Sequence, residues 1–397
     1  MISVRRERVP GERRVAATPE TVKQLTGIGL AVEVEKGAGA EAGFADAEYQ
    51  EAGAKLVASI ALPKVQVLAH VRPLDAADAK ALPTGAVTVG LASPASELTT
   101  VKALRDGKVT SFALELVPRI SRAQSMDALT SQALVAGYRC VLEAAMRLPR
   151  FFPLYMTAAG TIPPAKVLVL GAGVAGLQAI ATAKRLGAKV SANDVRAASA
   201  DEVASMGGTF IHLDLDAAAD AAGGYAKELG ADRAQLQRDL LTPHVHEADV
   251  IITTAAIPGR PAPRLITASM LTGMRPGSVI VDLAAETGGN VEGAVAGQDV
   301  AVKVAGGSLT LVGMKDAAST MPYDASRLYA KNVANLIALI AHDGTIAPDF
   351  DDEVVAGACL THDGTVRHEP TAEALAAPKK TAPKKAAAKA GPTKGKK

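Results

Sequence analysis

The stretch Lys166-Val-Leu-Val-Leu-Gly-Ala-Gly-Val-Ala-Gly-Leu-Gln-Ala-Ile180 decides the fold of this 397-residue chain. Its first five residues predict a buried β-strand, and the apolar spacing after the last glycine predicts a helix. Gly171 permits a tight turn, Gly173 lets a pyrophosphate approach the backbone, and Gly176 lets helix and strand pack closely. A strand, this glycine spacing and a helix, in that order, predict a dinucleotide-binding turn with phosphates on the free N–H groups of the helix.

An acidic residue follows at the position that reads the ribose of such a ligand. Gly187 ends the helix, Ala188–Asp194 predicts a second strand, and Asp194 lies eighteen residues after Gly176. A carboxylate there accepts a hydrogen bond from a ribose 2′-hydroxyl and repels a 2′-phosphate, so NAD(H) is favoured over NADP(H). The alternative for Asp194 is a loop-capping carboxylate. Arg196 is a residue type that can hold a 2′-phosphate, but beside Asp194 we interpret it as an adenine-side or solvated residue.

The rest of this unit alternates between strands and helices in a doubly wound pattern. Further strands are predicted at Phe210–Leu213, Val250–Thr254, Val279–Asp282 and Leu309–Val312. Paired glycines beside an aromatic, at Gly223-Gly224-Tyr225, predict a mobile flap, and an ordinary exposed turn is the alternative. His244 and His246 precede a strand, and we interpret them as surface residues.

The first part of the chain has its own α/β rhythm without a glycine triplet. Thr18 is the expected N-cap of a helix that starts with Pro19, and a second helix is expected from Asp46 to near Gly53. Strands are predicted at Leu30–Glu35, Val65–Ala69, Val87–Leu91 and Val109–Leu114. The alternation predicts a second Rossmann-like unit with a parallel sheet covered on both faces.

Helical spacing near the end of the chain predicts that the first unit is discontinuous. The apolar positions Tyr329, Val333, Leu336, Ile337 and Ile340 share one helix face, as a return helix requires. We therefore expect an α/β protein with two Rossmann-like, doubly wound domains joined by long helices around a cleft. The expected boundaries are 1–130 with 320–377 for the first domain, 131–319 for the NAD(H)-binding domain and 378–397 for a tail.

Composition limits the classes of protein that fit. The chain is 48% hydrophobic and 21% charged, which is ordinary for a globular protein. Cys140 and Cys359 lie far apart without companion metal ligands, so free thiols in a reducing cytoplasm are expected, with no zinc site. We find no metal-ligand cluster and no Ser/His/Asp arrangement. Residues 1–6 lack the apolar region of a secretory signal, and the uncharged run 167–183 is interpreted as strand and helix instead of a membrane span.

The net charge of +2 conceals an uneven distribution. Residues 378–397 carry eight Lys and no acidic residue, so subtracting those charges leaves the first 377 residues at −6. A low-complexity Lys/Ala/Pro segment cannot bury a core, so this tail is predicted to be disordered. We interpret it as a solvated tail or linker; the alternative is an electrostatic tether to anionic lipid or nucleic acid.

A polar loop leads into the helix that joins the two units. The segment Val117-Pro-Arg-Ile-Ser-Arg-Ala-Gln-Ser-Met-Asp127 is rich in groups that contact ligands, and it continues as Ala128-Leu-Thr-Ser-Gln132. A loop that enters a connecting helix between two α/β units lies at the mouth of their cleft. The reactive end of a dinucleotide is expected to project there.

Several segments together resemble the NAD(H)-binding component, domain I, of proton-translocating NAD(P) transhydrogenase, in the alanine dehydrogenase/transhydrogenase family. The resemblance runs over about the first 340 residues, and the Pro-Arg-Ile-Ser-Arg-Ala-Gln-Ser motif is its most specific part. The segments that carry it are 13–19, 117–127, 158–165, 224–227, 257–263 and 277–284.

The resemblance implies roles for individual residues of this chain. Gln124 would lie between the nicotinamide and the incoming second cofactor, while Arg119, Asp127 and Thr130 would orient the ring and its carboxamide. The family often has Ser at the position of Thr130, which keeps the hydroxyl. Tyr225 matches the aromatic of a mobile loop. Nucleotide contacts are implied for the glycine turn and for Val174, Asp194, Val195, Arg196, Gly224 and Ala256.

The resemblance also implies an activity and partners. Hydride would pass directly between NAD(H) on this chain and NADP(H) on a partner subunit, coupled to proton translocation by separate membrane-spanning subunits. This chain would form a homodimer, peripheral to the inner membrane on the cytoplasmic side, and would be inactive alone. We expect no nucleic-acid partner, which leaves anionic lipid as the candidate contact of the tail. Ala318 and Thr320 replace a Pro and an Arg that the family usually shows, which puts the local loop conformation in doubt.

Two other functions remain as alternatives. An alanine dehydrogenase shares the fold, but it needs a lysine, a histidine and an aspartate around its substrate. At the matching positions this chain has Arg72, Gly90 and Glu286, so the general acid/base is lost. A non-catalytic NAD-binding protein tethered through the Lys-rich tail is the second alternative, and an exposed Gln124 loop argues against it.

Overall fold

The computed structural model describes residues 1–196, 198–213, 230–256 and 261–377. The predicted flap around Gly223–Tyr225 lies outside these ranges, as do residues 257–260 and the predicted tail at 378–397. No α-helix in the described ranges is long and apolar enough to cross a lipid bilayer.

The strands of the described ranges follow one another throughout the chain, interrupted by helices. In chain order they are β1 Ile2–Val4, β2 Val32–Glu35, β3 Lys55–Val57, β4 Val67–Ala69, β5 Val87–Gly90, β6 Thr110–Ala113, β7 Tyr155–Thr157, β8 Gly160–Ile162, β9 Lys166–Leu170, β10 Lys189–Asn193, β11 Thr209–Phe210, β12 Val250–Thr253, β13 Val279–Asp282, β14 Asp299–Val304, β15 Gly307–Gly313, β16 Ala341–His342, β17 Thr345–Ile346, β18 Cys359–His362 and β19 Thr365–Val366.

The helices of the same ranges cover the sheets and connect them. They are α1 Pro19–Gly27, α2 Asp46–Glu51, α3 Ala76–Ala81, α4 Leu98–Asp106, α5 Ala128–Arg147, α6 Val174–Arg185, α7 Ser199–Ser205, α8 Gly230–Glu247, α9 Ala268–Leu271, α10 Pro322–Leu339, α11 Glu353–Ala358 and α12 Glu369–Ala376. Short 3-10 turns lie at Leu114–Leu116, Ser121–Met126 and Ala317–Thr320, among others.

The first sheet draws strands from both ends of the chain. Its order is β19-β18-β6-β5-β4-β1-β2-β3, in which β1 to β6 are parallel and β18 joins the edge antiparallel to β6. The parallel part has the doubly wound order, with the crossover point between β1 and β4. Both faces of the sheet are covered, and Ile2, Val67, Val89 and Phe112 are buried. The prediction of a discontinuous first unit is confirmed by this sheet.

The second sheet contains the glycine-rich stretch. Its order is β11-β10-β9-β12-β13-β15-β14, and all neighbours are parallel except β14, which pairs antiparallel with β15. The strand before the glycine turn, β9, lies at the centre between β10 and β12. The carboxyl ends of these strands therefore meet beside the turn, where ligands bind in open α/β sheets. The predicted fold class, with two Rossmann-like units, is confirmed.

Two long helices connect the units. The connecting helix α5 packs on α6 so closely that a Cβ on Gly137 would overlap the carbonyl oxygen of Ala175. The return helix α10 buries the predicted face, and the hydroxyl of Tyr329 donates to the carbonyl of His70 at 2.8 Å. Because α10 returns to the first unit and α5 leaves it, the cleft between the units opens beside both helices.

Some local predictions were incomplete or wrong. The strand predicted at Phe210–Leu213 is the two-residue Thr209–Phe210, because only these residues pair with β10. The hairpins β7–β8 and β14–β15 were not predicted with their partner strands, since their pairing is set by tertiary neighbours. The surface interpretation of His246 is wrong: the residue is half-buried within α8, and its Nε2 packs against Gly273. His244 is exposed, as predicted.

Candidate functional site

The glycine turn has the geometry that a pyrophosphate needs. Gly171 has a positive φ of 99°, which only glycine adopts readily, and Thr254 lies beside it. A Cβ on Gly176 would overlap the carbonyl oxygen of Gly171, so helix α6 packs directly on the turn. A Cβ on Gly173 would meet no described atom within 4 Å, and no side chain caps α6 at this residue. The free N–H groups of α6 therefore face open space.

Asp194 lies directly beside that turn and holds it. Its Oδ2 accepts from the N–H of Ala172 at 2.7 Å, and its Oδ1 accepts from the N–H and Nε of Arg196 at 2.9 and 3.1 Å. Burial alone would raise the pKa of the Asp194 carboxyl, but these bonds outweigh burial and the pKa lies below its ordinary value. The carboxylate is thus ionised at neutral pH.

Arg196 is exposed at the guanidinium yet lies back over Asp194 and also donates to the carbonyl of Ala172 at 3.2 Å. The interpretation as a solvated residue is therefore incomplete, because the side chain forms an ion pair with the ribose-reading acid. A ribose hydroxyl that approached Asp194 would share Oδ1 with the Arg196 guanidinium. The arrangement keeps a positive charge within reach of the phosphates while the acid faces the ribose position.

The remaining nucleotide-side residues surround the same opening. Val174 begins α6 and Val195 follows β10, and both side chains are exposed, Val195 by 82%. Ala256 lies just after β12, is exposed, and follows Thr254, whose N–H bonds the carbonyl of Leu170 at 2.9 Å. Gly224 and Tyr225 lie outside the described residues. The described members of the predicted nucleotide set therefore lie together at one edge of the second sheet.

The polar loop and the start of α5 form a second group. Asp127 is the N-cap of α5, and its Oδ1 accepts from the N–H of Thr130 at 2.8 Å. Its Oδ2 accepts from the hydroxyl of Thr130 at 2.6 Å. Arg119 and Gln124 are exposed, and within the described ranges neither side chain has a hydrogen-bond partner. Two tethered groups and two unengaged groups therefore face the cleft from one loop.

The loop is anchored on both sides of Gln124. Ala123 is fully buried and Met126 is 6% exposed, and both pack into the core of the first unit. The carbonyl of Ser125 accepts from the side-chain amides of Asn332 and Asn335 on α10, at 2.9 and 3.1 Å. Gln124 is therefore presented outward from a fixed backbone.

The two groups lie within reach of one dinucleotide. Gly137 of α5 contacts Ala175 in the first turn of α6, beside the pyrophosphate position. Thr130 lies seven residues earlier on α5, which at 1.5 Å per residue is about 10 Å along the helix. A ligand with its phosphates on Gly173 and its far ring near Thr130 would span this length. The cleft thus joins the predicted cofactor residues to the predicted hydride-transfer residues.

A buried charge network closes the deeper part of the cleft. Glu12 accepts from Arg14 at 2.7 and 2.8 Å and pairs with Arg72 at 2.7 Å, and Arg72 also pairs with Asp316 from the second unit. Burial alone would raise the pKa of Glu12, but the hydrogen bonds and charge of Arg14, with the charge of Arg72, lower it to about 2. Ser319 accepts from the N–H of Arg13 at 2.7 Å. These contacts tie the two units together.

The network occupies the positions that an alanine dehydrogenase would use. Arg72 is neutralised by Glu12 and Asp316, so its guanidinium is not free for a substrate carboxylate. Gly90 faces the ring of His70, whose Nδ1 would lie 2.5 Å from a Cβ there and contacts the carbonyl of Arg72 at 2.7 Å. Burial lowers the pKa of His70 to about 4. An imidazole is therefore present beside this position, but it is buried and neutral.

Glu286 has a structural contact at the same place. Its carboxylate accepts from the N–H of Asp316 at 2.9 Å, and burial raises its pKa. Asp316 has a positive φ of 49°, which this contact and the ion pair to Arg72 hold in place. The nearby departures Ala318 and Thr320 lie in a regular 3-10 turn, closed by the Thr320 hydroxyl on the carbonyl of Ala317 at 2.7 Å.

Sequence reasoning missed residues that act through distant contacts. Asn332 and Asn335 read as ordinary polar positions of a helix, and nothing in their spacing indicates that they hold the Ser125 carbonyl. Glu12 and Asp316 are 304 residues apart in sequence, so no local pattern joins them to Arg72. The one available signal was the Gly-Glu-Arg-Arg segment at 11–14, in which a carboxylate directly precedes two guanidinium groups.

Comparisons with known proteins agree with this architecture. The family models described as Alanine dehydrogenase/PNT, N-terminal domain and C-terminal domain match residues 3–136 and 140–369. The first of the polypeptides that make up the NAD(P) transhydrogenase alpha subunit of Rhodospirillum rubrum is 46% identical over 378 residues, which cover 92% of this chain and 97% of the relative. The crystal structure of transhydrogenase from Sinorhizobium meliloti has a TM-score of 0.83 at 43% identity, covering 92% of this chain and 99% of that chain.

An alanine dehydrogenase is a weaker match. The enzyme of Halomonas elongata is 31% identical over 296 residues, which cover 73% of this chain and 74% of that enzyme. The resemblance inferred from the sequence is confirmed, and the chain belongs to the alanine dehydrogenase/PNT family, in which it is more similar to the Rhodospirillum transhydrogenase alpha subunit than to this alanine dehydrogenase.

Proposed function

We propose that this chain is the NAD(H)-binding subunit of a proton-translocating NAD(P) transhydrogenase. In this proposal hydride passes directly between NAD(H) on this chain and NADP(H) on a partner subunit. The observation that carries it is the placement of Gln124, exposed between the buried neighbours Ala123 and Met126 at the cleft mouth. A dehydrogenase that acts on a bound small molecule needs no such outward-facing contact, whereas transfer to a second protein does.

The residues present fit NAD(H). The open space beside Gly173 admits a pyrophosphate, and α6 offers N–H groups without a competing side chain. The ionised Asp194 accepts a ribose 2′-hydroxyl and repels a 2′-phosphate. The proposed contacts also include Val174, Val195, Arg196 and Ala256, with Gly224 and Tyr225 from the segment outside the described residues.

The chemistry asks the protein for position more than for reactive groups. When bound, the nicotinamide supplies or accepts the hydride itself. Asp127 and Thr130 form a fixed pair whose oxygens can hold a carboxamide, and Arg119 contributes a charge at the same edge. Gln124 sets the approach of the second ring and helps to exclude water. Direct transfer depends on such alignment, because a misplacement of about 1 Å can cost roughly 100-fold in rate.

The partners follow from the same proposal. A relative whose name makes it one portion of a subunit alpha implies further subunits, and we propose that they carry the NADP(H) site and the membrane-spanning proton path. We further propose a homodimer, supported by the exposed hairpin β7–β8, every residue of which is solvent-accessible and which includes Met156 at 76%. The complex would place this chain on the cytoplasmic side of the inner membrane, with the Lys-rich tail available to anionic lipid.

The alternative functions lack comparable support. An amino-acid dehydrogenase needs a free cation and a titrating imidazole, and here Arg72 is paired while His70 is buried. A tethered non-catalytic protein gives no reason for an exposed Gln124. Deleting residues 378–397 separates this second alternative from the proposal, because a transhydrogenase subunit keeps its NADH affinity without them.

The proposal is tested by binding and transfer measured on the same variants. Calorimetry should show binding of NADH and much weaker binding of NADPH. Gln124→Asn should bind NADH within about twofold of wild type yet transfer hydride at least about tenfold more slowly in the complex reconstituted with the partner subunits. Gln50→Asn, the same chemical change on an exposed residue of α2, is the matched control. Unchanged transfer by Gln124→Asn would remove this residue from the mechanism.

A further inference from the structure

The backbone around Gln124 is held more firmly than hydrogen-bond satisfaction requires. A carbonyl at an exposed turn is satisfied by one donor or by water, yet the Ser125 carbonyl accepts two side-chain amides, from Asn332 at 2.9 Å and Asn335 at 3.1 Å. The carbonyl of Gln124 itself accepts from the N–H of Asp127 at 3.3 Å. The peptide planes on the carboxyl side of Gln124 are therefore fixed.

The two asparagines are built for this contact. They stand three residues apart on α10, so both side chains lie on one helix face toward the loop. Asn332 is 6% exposed, and its Oδ1 accepts from the hydroxyl of Ser131 at 2.7 Å while its Nδ2 donates to Ser125. Both ends of a buried amide are thus used, which restricts it to a single orientation.

The second asparagine is oriented from the opposite side. The Oδ1 of Asn335 accepts from Nε2 of Gln24 on α1 at 3.0 Å, which turns its Nδ2 toward Ser125. The side chain of Gln24 bonds Asn335 and the Lys331 ammonium, both on α10, instead of the loop. The chain of contacts runs from α1 through α10 to the loop, and it ends one residue after Gln124.

We propose that Asn332 and Asn335 are positioning residues for hydride transfer, which clamp the Ser125 carbonyl so that Gln124 is held in its outward pose at the cleft mouth. This inference rests on the proposed function of Gln124. The return helix α10 then has two roles: it completes the first core through Tyr329 and Val333, and it fixes the loop that meets the partner. The clamp would act on the rate of transfer and leave cofactor binding to the second sheet.

The first test measures the loop without the partner subunits. Hydrogen exchange of peptides covering 121–127 should become about fivefold to tenfold faster in Asn332→Leu, because one hydrogen bond to the Ser125 carbonyl is lost. Leu keeps the branched shape, and Ser131 retains its bond to the carbonyl of Ala128 at 3.2 Å. Asn335→Ala, at a half-exposed site, is the second variant and protects the test against misfolding of the first. Unchanged exchange in both folded variants would overturn the clamp.

The second test measures transfer in the reconstituted complex. Asn332→Leu should slow hydride transfer roughly tenfold, with the NADH dissociation constant within about twofold of wild type. Gln24→Ala is the control, since it removes a contact of Asn335 without touching the loop. In the Gln124→Asn background, Asn332→Leu should slow transfer no further, because the clamp acts through Gln124.

The outcomes separate the two proposals. If Gln124→Asn is slow but Asn332→Leu transfers normally, or if the two losses multiply, the clamp is overturned and the proposed function stands. If Gln124→Asn transfers normally, the role of Gln124 in the proposed function fails, and a slow Asn332→Leu then assigns the asparagine another effect. Slow single variants with no further loss in the double variant support both.

Discussion

The glycine turn allows a matched pair of substitutions whose effects should fall on different properties. Gly173→Ala adds a methyl group where no described atom lies within 4 Å, whereas Gly176→Ala adds it where it overlaps the Gly171 carbonyl oxygen and lies 2.9 Å from the carbonyl carbon. The first change should remove NADH binding without unfolding the protein. The second should destabilise the protein itself.

The magnitudes follow from the geometry. At Gly173 the backbone has φ −77° and ψ −172°, which alanine adopts freely. Reduced freedom of the unfolded chain stabilises by about 0.4–1 kcal/mol, and alanine is a poorer N-cap than glycine by about 0.5 kcal/mol, so stability should change by less than about 0.5 kcal/mol. The added methyl occupies the pyrophosphate position, and a loss of about 1.4 kcal/mol or more corresponds to at least tenfold weaker NADH binding.

At Gly176 two terms oppose each other unequally. Alanine is the better helix former by about 1 kcal/mol, but overpacking against a backbone that cannot rotate away costs about 1–3 kcal/mol. The net loss of about 1–2 kcal/mol should lower Tm by about 5 °C, since each kcal/mol shifts a domain of this size by about 2–4 °C. Binding should also weaken, because the turn must move.

Both properties can be measured on the isolated chain. Tm is followed by circular dichroism, and NADH binding by the fluorescence of NADH, with no tryptophan in the chain to interfere. If Gly173→Ala bound NADH as wild type does, the pyrophosphate would not lie on this backbone. If Gly176→Ala were as stable as wild type, the close packing of α6 on the turn would be wrong.

Two other predictions concern charge. Asp194→Asn should weaken NADH binding about tenfold and narrow the preference over NADPH in calorimetry, because the repulsion of a 2′-phosphate is removed; an unchanged ratio of the two affinities would contradict this role of Asp194. The unfolded chain protonates His70 near pH 6.5, whereas the folded chain does so only at about pH 4, so this group should cost about 3 kcal/mol of unfolding free energy as pH falls through that window. In denaturant titrations between pH 7 and pH 4, His70→Asn, which keeps an amide donor toward the Arg72 carbonyl, should show a shallower fall; an equal slope would assign the acid sensitivity to other groups.

Local residue patterns were enough to predict the second sheet and its ligand. Strand β9, the three glycines, α6 and Asp194 occur within about thirty residues, so their order alone predicts the turn, and the structure shows each glycine in the conformation or contact that its position requires. The N-cap at Thr18 and the buried face of α10 follow in the same way. These features depend on backbone geometry and on the spacing of neighbours, which a sequence contains directly.

Other features were settled only when distant parts of the chain came together. The strand β18 joins the first sheet through β6, some 250 residues earlier, and the hairpin β14–β15 forms an edge that apolar spacing alone did not indicate. The pairing of Arg72 with Asp316, and of the Ser125 carbonyl with Asn332, joins residues on different elements. The sequence by itself determined which segments could form strands, helices and a nucleotide turn, because those depend on short-range sterics and periodicity. Only the tertiary structure decided which side chains meet in the cleft and how firmly Gln124 is held there, because hydrogen bonds and ion pairs need atoms about 3 Å apart, whatever their separation along the chain.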